Sequence, residues 1–276
     1  MKEYHLFYAP DIRETNELPT DEAAHAVRVL RIKEGDSLLA TDGHGMLYKC
    51  TVALASPKHC SVTIERSFSD KRLWKGHIHL AVAPTKNMDR MEWLAEKATE
   101  IGMDNLALLD CKNSERHIIK TERIEKIVVS AMKQSHKAWK PRVEDMTSFT
   151  RFISQPFDGQ KFIAHCYEDE MSEYSQTEKA VHKNQQQNLQ KSSDSQEIKF
   201  AKPFLAEVLS HEGGALVLIG PEGDFSIDEV RQAEAAGFQA ISLGDSRLRT
   251  ETAALVAVHI MNLVKSERKG ISNTAK

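Results

Sequence analysis

The alternation of apolar and polar residues changes style once along the chain, near residue 72. Before that point the apolar positions come in short alternating runs. "SLLATD" (37–42) meets "MLYKCTVALAS" (46–56) across Gly43-His44-Gly45, and "CSVTIERSF" (60–68) follows after Pro57-Lys58-His59. Alternation bounded by glycine turns predicts a β-hairpin with further strands beside it. Several short strands joined by tight turns suggest a small barrel. One helical stretch precedes them, "TDEAAHAVRVLRI" (20–32), with Thr20 or Asp21 as its expected cap.

After "SDKRLWKG" (69–76) the period switches between two and 3.6. "HIHLAVA" (77–83) predicts a strand that Pro84 ends. "MDRMEWLAEKATEIG" (88–102) places Met88, Met91, Leu94, Ala95, Ala98 and Ile101 on one helical face, with Gly102 as its stop. "LALL" (106–109) predicts a strand, 121–139 a helix, "KFIAHCY" (161–167) a strand, 203–210 a short helix and "ALVLIG" (215–220) another strand. Such β-α-β alternation predicts a mainly parallel sheet covered on both faces. Residues 168–199 interrupt it. They are rich in Gln, Ser and Lys and poor in apolar residues, and predict an exposed insertion.

Composition narrows the function classes. The chain has 276 residues, 41% of them hydrophobic, and a formal net charge of −3. It is no polycation, so nucleic-acid affinity requires a local basic region. Residues 112–142 supply one, with nine Lys/Arg against three acids. The four cysteines, Cys50, Cys60, Cys111 and Cys166, form no C-x-x-C and no zinc-spaced cluster, so free thiols and no metal are expected. The first residues carry no leader-like apolar core, and no run approaches the ~20 apolar residues of a membrane span. A soluble, cytoplasmic protein is expected.

Residues 218–264 hold two glycine turns, each between an apolar strand and a helix. In the first, Gly220-Pro221-Glu222-Gly223-Asp224 follows "ALVLI", and Ser226 with Glu229 forms a capping box for a helix from 227 to 236 that Gly237 ends. In the second, Gly244-Asp245-Ser246-Arg247-Leu248-Arg249 follows "AISL" and leads into a helix near Thr252. No lysine-bearing P-loop motif is present. Asp245 sits where a ribose-binding acid of a dinucleotide fold belongs. The first turn, however, is G-x-x-G and carries Glu222 and Asp224 where a pyrophosphate would lie. Carboxylates repel a phosphate, so a ligand without phosphate fits better, and S-adenosylmethionine is one. Arg247 and Arg249 make the second turn basic, and either could hold a phosphate or base edge bidentately. Arg249 could equally pair with Glu251. The last helix, "TAALVAVHIMNLV", is apolar nearly all round and must be covered on most sides, by the sheet or by a second subunit. His259 within it is expected to be a core or interface residue.

"LIGPEGDFSIDEV" together with "SLGDSRLRTETAA" resembles the paired C-terminal motifs of the RsmE-type ribosomal RNA uridine N3-methyltransferases of the SPOUT superfamily. "EAAHAVRVLRIKEGDSLLATDGHG", "KNMDRMEWLAEKATEIG" and "AMKQSHKAWKP" agree with the same family. The match spans nearly the whole chain outside 168–199. The resemblance implies an α/β fold: an N-terminal PUA-like RNA-binding β-barrel (1–72) and a C-terminal SPOUT methyltransferase domain (73–276) with a deep trefoil knot. It implies S-adenosylmethionine held by Ile219, Gly220, Pro221, Glu222, Gly223, Leu243, Gly244, Ser246 and Leu248. It implies a homodimer with the last helix in the contact, and 16S rRNA or the 30S subunit as the partner methylated at a uridine N3. Three departures stand out: family members often have glycine where Asp224 stands, Pro-Arg near Asp245-Ser246-Arg247, and an arginine near the N-terminus, where this chain has His5.

Uracil N3 carries a weakly acidic proton hidden in base pairs, so the target base must be unpaired or flipped out. Either a carboxylate takes that proton or an arginine stabilises the uridine anion. Arg249 and Glu251 are the catalytic candidates on this reading, and Arg28, Arg31, Lys133 and Arg247 the RNA-binding ones. Other SPOUT methylations (ribose 2′-oxygen, or tRNA), a non-catalytic RNA-binding assembly factor and a nicotinamide-dependent oxidoreductase are the competing classes. Because 174–196 has too few apolar residues to join a core, deleting it should leave folding and activity intact. Loss of soluble, folded protein in the deletion variant would show the segment to be structural.

Overall fold

A computed structural model describes residues 5–167 and 202–266. The polar segment expected at 168–199 lies outside the described residues. Five strands, β1 (Leu6–Tyr8), β2 (Glu17–Leu18), β3 (Ser37–Thr41), β4 (Met46–Ala55) and β5 (Cys60–Ser69), pair in the order β1-β3-β4-β5-β2. The hairpin is where the pattern predicts it, with Leu38 opposite Cys50 and Leu39 opposite Lys49. Two register shifts in the β4–β5 ladder, at Lys49/Cys50 and Val52/Leu54, bend these long strands. The inner face buries Phe7, Ile12, Leu38, Tyr48, Cys50 and Val62. The strands form a barrel-like sheet whose ladder runs as a path from β1 to β2, with no pairing between those two among the described residues.

The expected helix at 20–32 forms as one run from Thr20 to Val29: α2 (Thr20–Ala24) continues without a break into a π-helical segment over His25–Val29, and Arg31, just beyond its end, takes a left-handed φ of 56°. Neither Thr20 nor Asp21 caps it, because the N-cap is Pro19 with no side-chain cap bond. A short α1 (Ile12–Thr15) precedes it.

The second sheet runs β12 (Gln239–Ile241), β10 (Gly159–Ala164), β11 (Gly214–Ile219), β6 (His77–Val82), β7 (Asn105–Asp110), β8 (Arg142–Val143), with β9 (Thr147–Ser148) also on β7. Every ladder in it is parallel. Period-two alternation splits each central strand between two cores. Ile78, Leu80 and Val82 of β6 and Ala215, Val217 and Ile219 of β11 face α3 (Met88–Ile101), α4 (Thr121–Gln134) and α8 (Thr250–Lys265). Ala81, Leu216 and Leu218 face α5 (Phe149–Ile153) and α7 (Ile227–Ala235). A short α6 (Leu205–Val208) leads into β11. α3 buries Met91, Leu94, Ala95 and Ala98 as its spacing predicts; Asn87 caps its start and Gly102, at φ 124°, ends it.

α4 stops at Gln134, five residues before the expected end, because His136 adopts φ 52°. The chain is thereby freed to place Trp139 against the first sheet. Its indole donates to the Asp70 carbonyl at 3.1 Å, and Gly43 and Gly45 bond the backbone of Lys140 and Ala138. Lys133 of α4 pairs with Glu22 of α2 across the same boundary, where both side chains are largely buried. Asp104 ties down the segment between the sheets, accepting from Trp74 Nε1 at 2.9 Å and the Ile78 N–H at 2.8 Å and pairing with Arg72 at 2.9 Å. Lys265, fully buried at the end of α8, donates to the carbonyls of Ser210 and Gly213.

α8 is apolar all round, yet the sheet covers only part of it. Ala254, Ala257, Val258 and Met261 are buried, whereas His259 is exposed and Leu263 is 52% exposed. His259 is therefore not a core residue. No helix among the described residues is long and apolar enough to cross a membrane.

His79 on β6 is buried between Phe152 and Phe157, and its Nε2 has no hydrogen-bond partner. Burial, aided by the charges of His77 and Arg142, pushes its pKa down to about 3 from 6.5. The neutral form is the folded form, so its contribution is complete above pH 6.5 and is lost as pH falls toward 3. The slope is about 1.4 kcal/mol per pH unit for one proton. Urea unfolding of His79→Leu across pH 7 to 4 should show a shallower loss of stability than the parent protein; parallel curves would exclude the buried neutral histidine.

Candidate functional site

Because the second sheet is parallel, the turns that follow β6, β7, β10, β11 and β12 all leave the same edge. Open α/β sheets bind ligands at that carboxyl edge. β10 lies between β11 and β12, with Ala164 opposite both Ile219 and Ile241. The two glycine turns, 220–225 and 242–249, therefore flank the end of β10 two strand spacings apart, about 10 Å.

The acids of the first turn have a structural use. Glu222 Oε1 accepts the N–H of Lys86 at 3.0 Å, from the loop after β6. Asp224 takes a left-handed φ of 62° and accepts from the N–H of Cys166 at 2.7 Å, after β10, and of Phe225 at 2.8 Å. Glu229 completes the expected capping box with Ser226 and also accepts the N–H of Lys112 at 2.8 Å, after β7. Three carboxylates thus tie three neighbouring turns to this one through charge-assisted bonds. Asn113 closes the arrangement from the other side, donating to the carbonyls of Gly223 and Asp224 at 3.3 and 3.1 Å. The φ of Asp224 accounts for glycine being frequent there in the family it resembles: a left-handed position suits glycine and, next best, Asn or Asp. Tyr167 adds a hydroxyl bond to the Phe225 carbonyl at 2.7 Å.

Glycine is required at two points. A Cβ on Gly220 would stand 3.0 Å from the Phe225 nitrogen, and Gly244 has φ 131° with open space around it. Gly223 is less constrained, its nearest obstacle being the Asn113 Cβ at 3.3 Å. Ile219, Gly220 and Pro221 are buried, Leu243 and Leu248 half-buried, and Glu222, Gly223, Gly244 and Ser246 exposed. The second turn is closed by the Ser242 hydroxyl, which accepts from the Gly244 N–H and donates to its carbonyl, both at 3.1 Å.

Arg247 and Arg249 are exposed, and neither has an ion pair among the described residues. Arg249 does not pair with Glu251. It is the N-cap residue of α8, while Glu251 is buried in the first turn and faces Arg90 of α3, Oε1 to Nε at 3.7 Å. Arg28 and Arg31 are also exposed, on the π-helical segment and just beyond it, with no ion pair among the described residues. Lys133 differs from them, since its ammonium is committed to Glu22 and little exposed. Most of the basic run 112–142 is similarly engaged: Lys112 with Asp228, Arg123 with Glu92, Lys140 with Glu125, Arg142 with Glu144, Lys137 with the Glu100 carbonyl and Arg116 with that of Lys86. The local excess of positive charge in the sequence is therefore not a free patch. Sequence reasoning missed Arg90, Asn113 and the Lys86 N–H, because their partners lie more than a hundred residues away.

Comparison with known proteins agrees with this architecture. Residues 72–262 match the model of an RNA methyltransferase domain and residues 18–65 that of an RNA methyltransferase PUA domain. The crystal structure of a probable rRNA-methyltransferase from Porphyromonas gingivalis is 38% identical, covering 94% of this chain and 98% of that one, with a TM-score of 0.77. A Legionella pneumophila putative methyltransferase, solved with bound cofactor SAM, shares the fold at 23% identity and TM-score 0.77 over 96% of this chain and 99% of its own. The ribosomal RNA small subunit methyltransferase E of Bacillus subtilis is 28% identical over 249 residues, 86% of each chain. The chain belongs to the RNA methyltransferase family, of the RsmE type that its glycine-turn motifs resemble.

Proposed function

We propose that this protein methylates N3 of one uridine in the 16S rRNA of the small ribosomal subunit, using S-adenosylmethionine. The observation that carries the reading is the pair of glycine turns at the carboxyl edge, one braced by its own acids and the other basic and open. The residues present fit the cofactor. Gly223, Gly244 and Ser246 leave backbone exposed on both sides of the β10 end, and half-buried Leu243 and Leu248 offer an apolar surface to an adenine. No phosphate has to be accommodated beside Glu222 and Asp224.

When bound, S-adenosylmethionine supplies a methyl group on a sulfonium, ready for in-line displacement. The rest of the task falls to the chain. The two turns hold the donor still; alignment of reactants is worth roughly 7–11 kcal/mol in favourable cases. Arg249 and Arg247, without an ion pair among the described residues, bind RNA phosphate or base edges at the mouth of the site. Arg28 and Arg31 extend the RNA contact onto the PUA-like domain (1–72), and the methyltransferase domain occupies 73–276. The reading includes a deep trefoil knot, consistent with β11 lying inside β10 rather than beyond it. It also includes a homodimer through α8, whose exposed His259 and Leu263 the single chain leaves uncovered. The setting is cytoplasmic.

Nucleoside analysis of small-subunit rRNA from cells lacking the protein should show loss of 3-methyluridine, restored by the intact gene. Unchanged 3-methyluridine, with a lost 2′-O-methyl or tRNA mark instead, would replace the proposed target. In the purified protein, Gly220→Val should abolish cofactor binding. Arg249→Ala should keep cofactor affinity, depress methylation and weaken RNA binding more at low salt than at high. If Arg249→Ala instead loses the cofactor and keeps the RNA, the assignment of the two turns is reversed.

A further inference from the structure

Arg90 sits in the first turn of α3, immediately after the loop whose Lys86 N–H is bound by Glu222 of the first glycine turn. Its ion-pair partner, Glu251, sits in the first turn of α8, immediately after the second glycine turn. The pair therefore bridges the exits of the two elements that frame the site. The partners are unequal. Glu251 is buried, 7% exposed, at a helix N-terminus, where a carboxylate is favoured. Arg90 is also at a helix N-terminus, where a cation is disfavoured, so helix stability does not account for it. Its side chain is 38% exposed, and its Nε lies 3.7 Å from the carboxylate, an ion pair without a hydrogen bond. No other group among the described residues pairs with it or accepts from its guanidinium. A partly exposed guanidinium paired with a buried carboxylate keeps donors with which it can make two parallel bonds to a planar anion.

The other acids near the turns are engaged or remote. Glu222 and Asp224 already accept backbone N–H groups, and Asp245 is in solvent. Glu251 Oε2 is shielded from solvent and has no hydrogen-bond partner, which suits an anchor better than a proton acceptor that must meet a base.

We infer that Arg90 is a catalytic residue that stabilises the uridine anion through its outer N–H groups, and that Glu251 is the positioning residue that holds it. This rests on the methyltransferase reading and assigns the chemistry within it. The N3–H proton passes to solvent water. As the N3–C bond forms, the sulfonium–methyl bond breaks and its electron pair returns to sulfur. The negative charge that N3, O2 and O4 share once the proton leaves faces the guanidinium, which stabilises it relative to the bound neutral uridine and so raises the share of the reactive anion.

The test compares Arg90→Ala, Arg90→Lys, Glu251→Gln and the double variant Arg90→Ala/Glu251→Gln on a 16S rRNA fragment or 30S particle that the parent protein methylates. Failure of the parent itself on these substrates counts against the function reading and not against this assignment. Arg90→Ala should lower kcat on the order of 10²-fold, as loss of one transition-state donor does elsewhere, with S-adenosylmethionine affinity by calorimetry within about threefold. Arg90→Lys should recover part of the rate, and added guanidinium should rescue the alanine variant. Glu251→Gln should lower kcat less. The double variant, which leaves no buried charge uncompensated, should fold and be no slower than Arg90→Ala, because the two residues act as a unit. Parent-like kcat in Arg90→Ala overturns the assignment, as does a parallel loss of cofactor affinity. A Glu251→Gln loss larger than that of Arg90→Ala overturns it too, and makes Glu251 the base.

Discussion

Everything at the candidate site depends on one constraint: all ladders of the second sheet are parallel. A parallel strand can follow another only by a crossover, and both faces of such a sheet must be covered. The apolar content of β6 and β11 on both faces enforces this, since neither Ile78, Leu80 and Val82 nor Ala81, Leu216 and Leu218 can be left in water. The consequence is that five βα exits converge on one edge. That convergence makes this edge the place where many loop backbones meet.

Converging loops need something to fix them, since their backbone N–H groups have left the ladder. Here carboxylates do so. Glu222, Asp224 and Glu229 each take an N–H from a different neighbouring loop. A cluster of acids at a glycine turn, which on charge alone argues against a phosphate ligand, is thus also the bracing of the turn itself. The two accounts are compatible: these acids are occupied by backbone donors, and a ligand beside them is best without phosphate. The cations have the converse distribution. Those in 112–142 are mostly spent on ion pairs and carbonyls, while Arg28, Arg31, Arg247 and Arg249 are exposed and have no ion pair among the described residues. Free charge, and not charge density along the sequence, is what a polyanion can meet.

The two sheets are joined by specific polar contacts as well as by apolar burial. Lys133 with Glu22, Trp139 with Asp70, and Asp104 with Arg72 and Trp74 fix the first sheet and its linker against the second. This gives α4 its short length. A helix continuing to residue 139 would carry Trp139 away from Gly45, and the left-handed His136 turns it back.

By itself the sequence determined the features that rest on local chemistry: the hairpin at Gly43-His44-Gly45, α3 with its Gly102 stop, the Ser226–Glu229 capping box, the two glycine turns and the alternation that demands a parallel sheet. Period, caps and turn residues act within a few positions and so can be read along the chain. Tertiary structure alone decided the rest. It ended α4 early, gave the second half of the expected helix at 20–32 a π-helical winding, and left β1 and β2 unpaired with each other among the described residues. It withdrew Lys133 into a pair with Glu22, exposed His259, and gave Glu251 to Arg90 instead of to its neighbour Arg249. In each case the deciding partner is distant along the chain, and an electrostatic or steric contact between distant segments has no period to betray it.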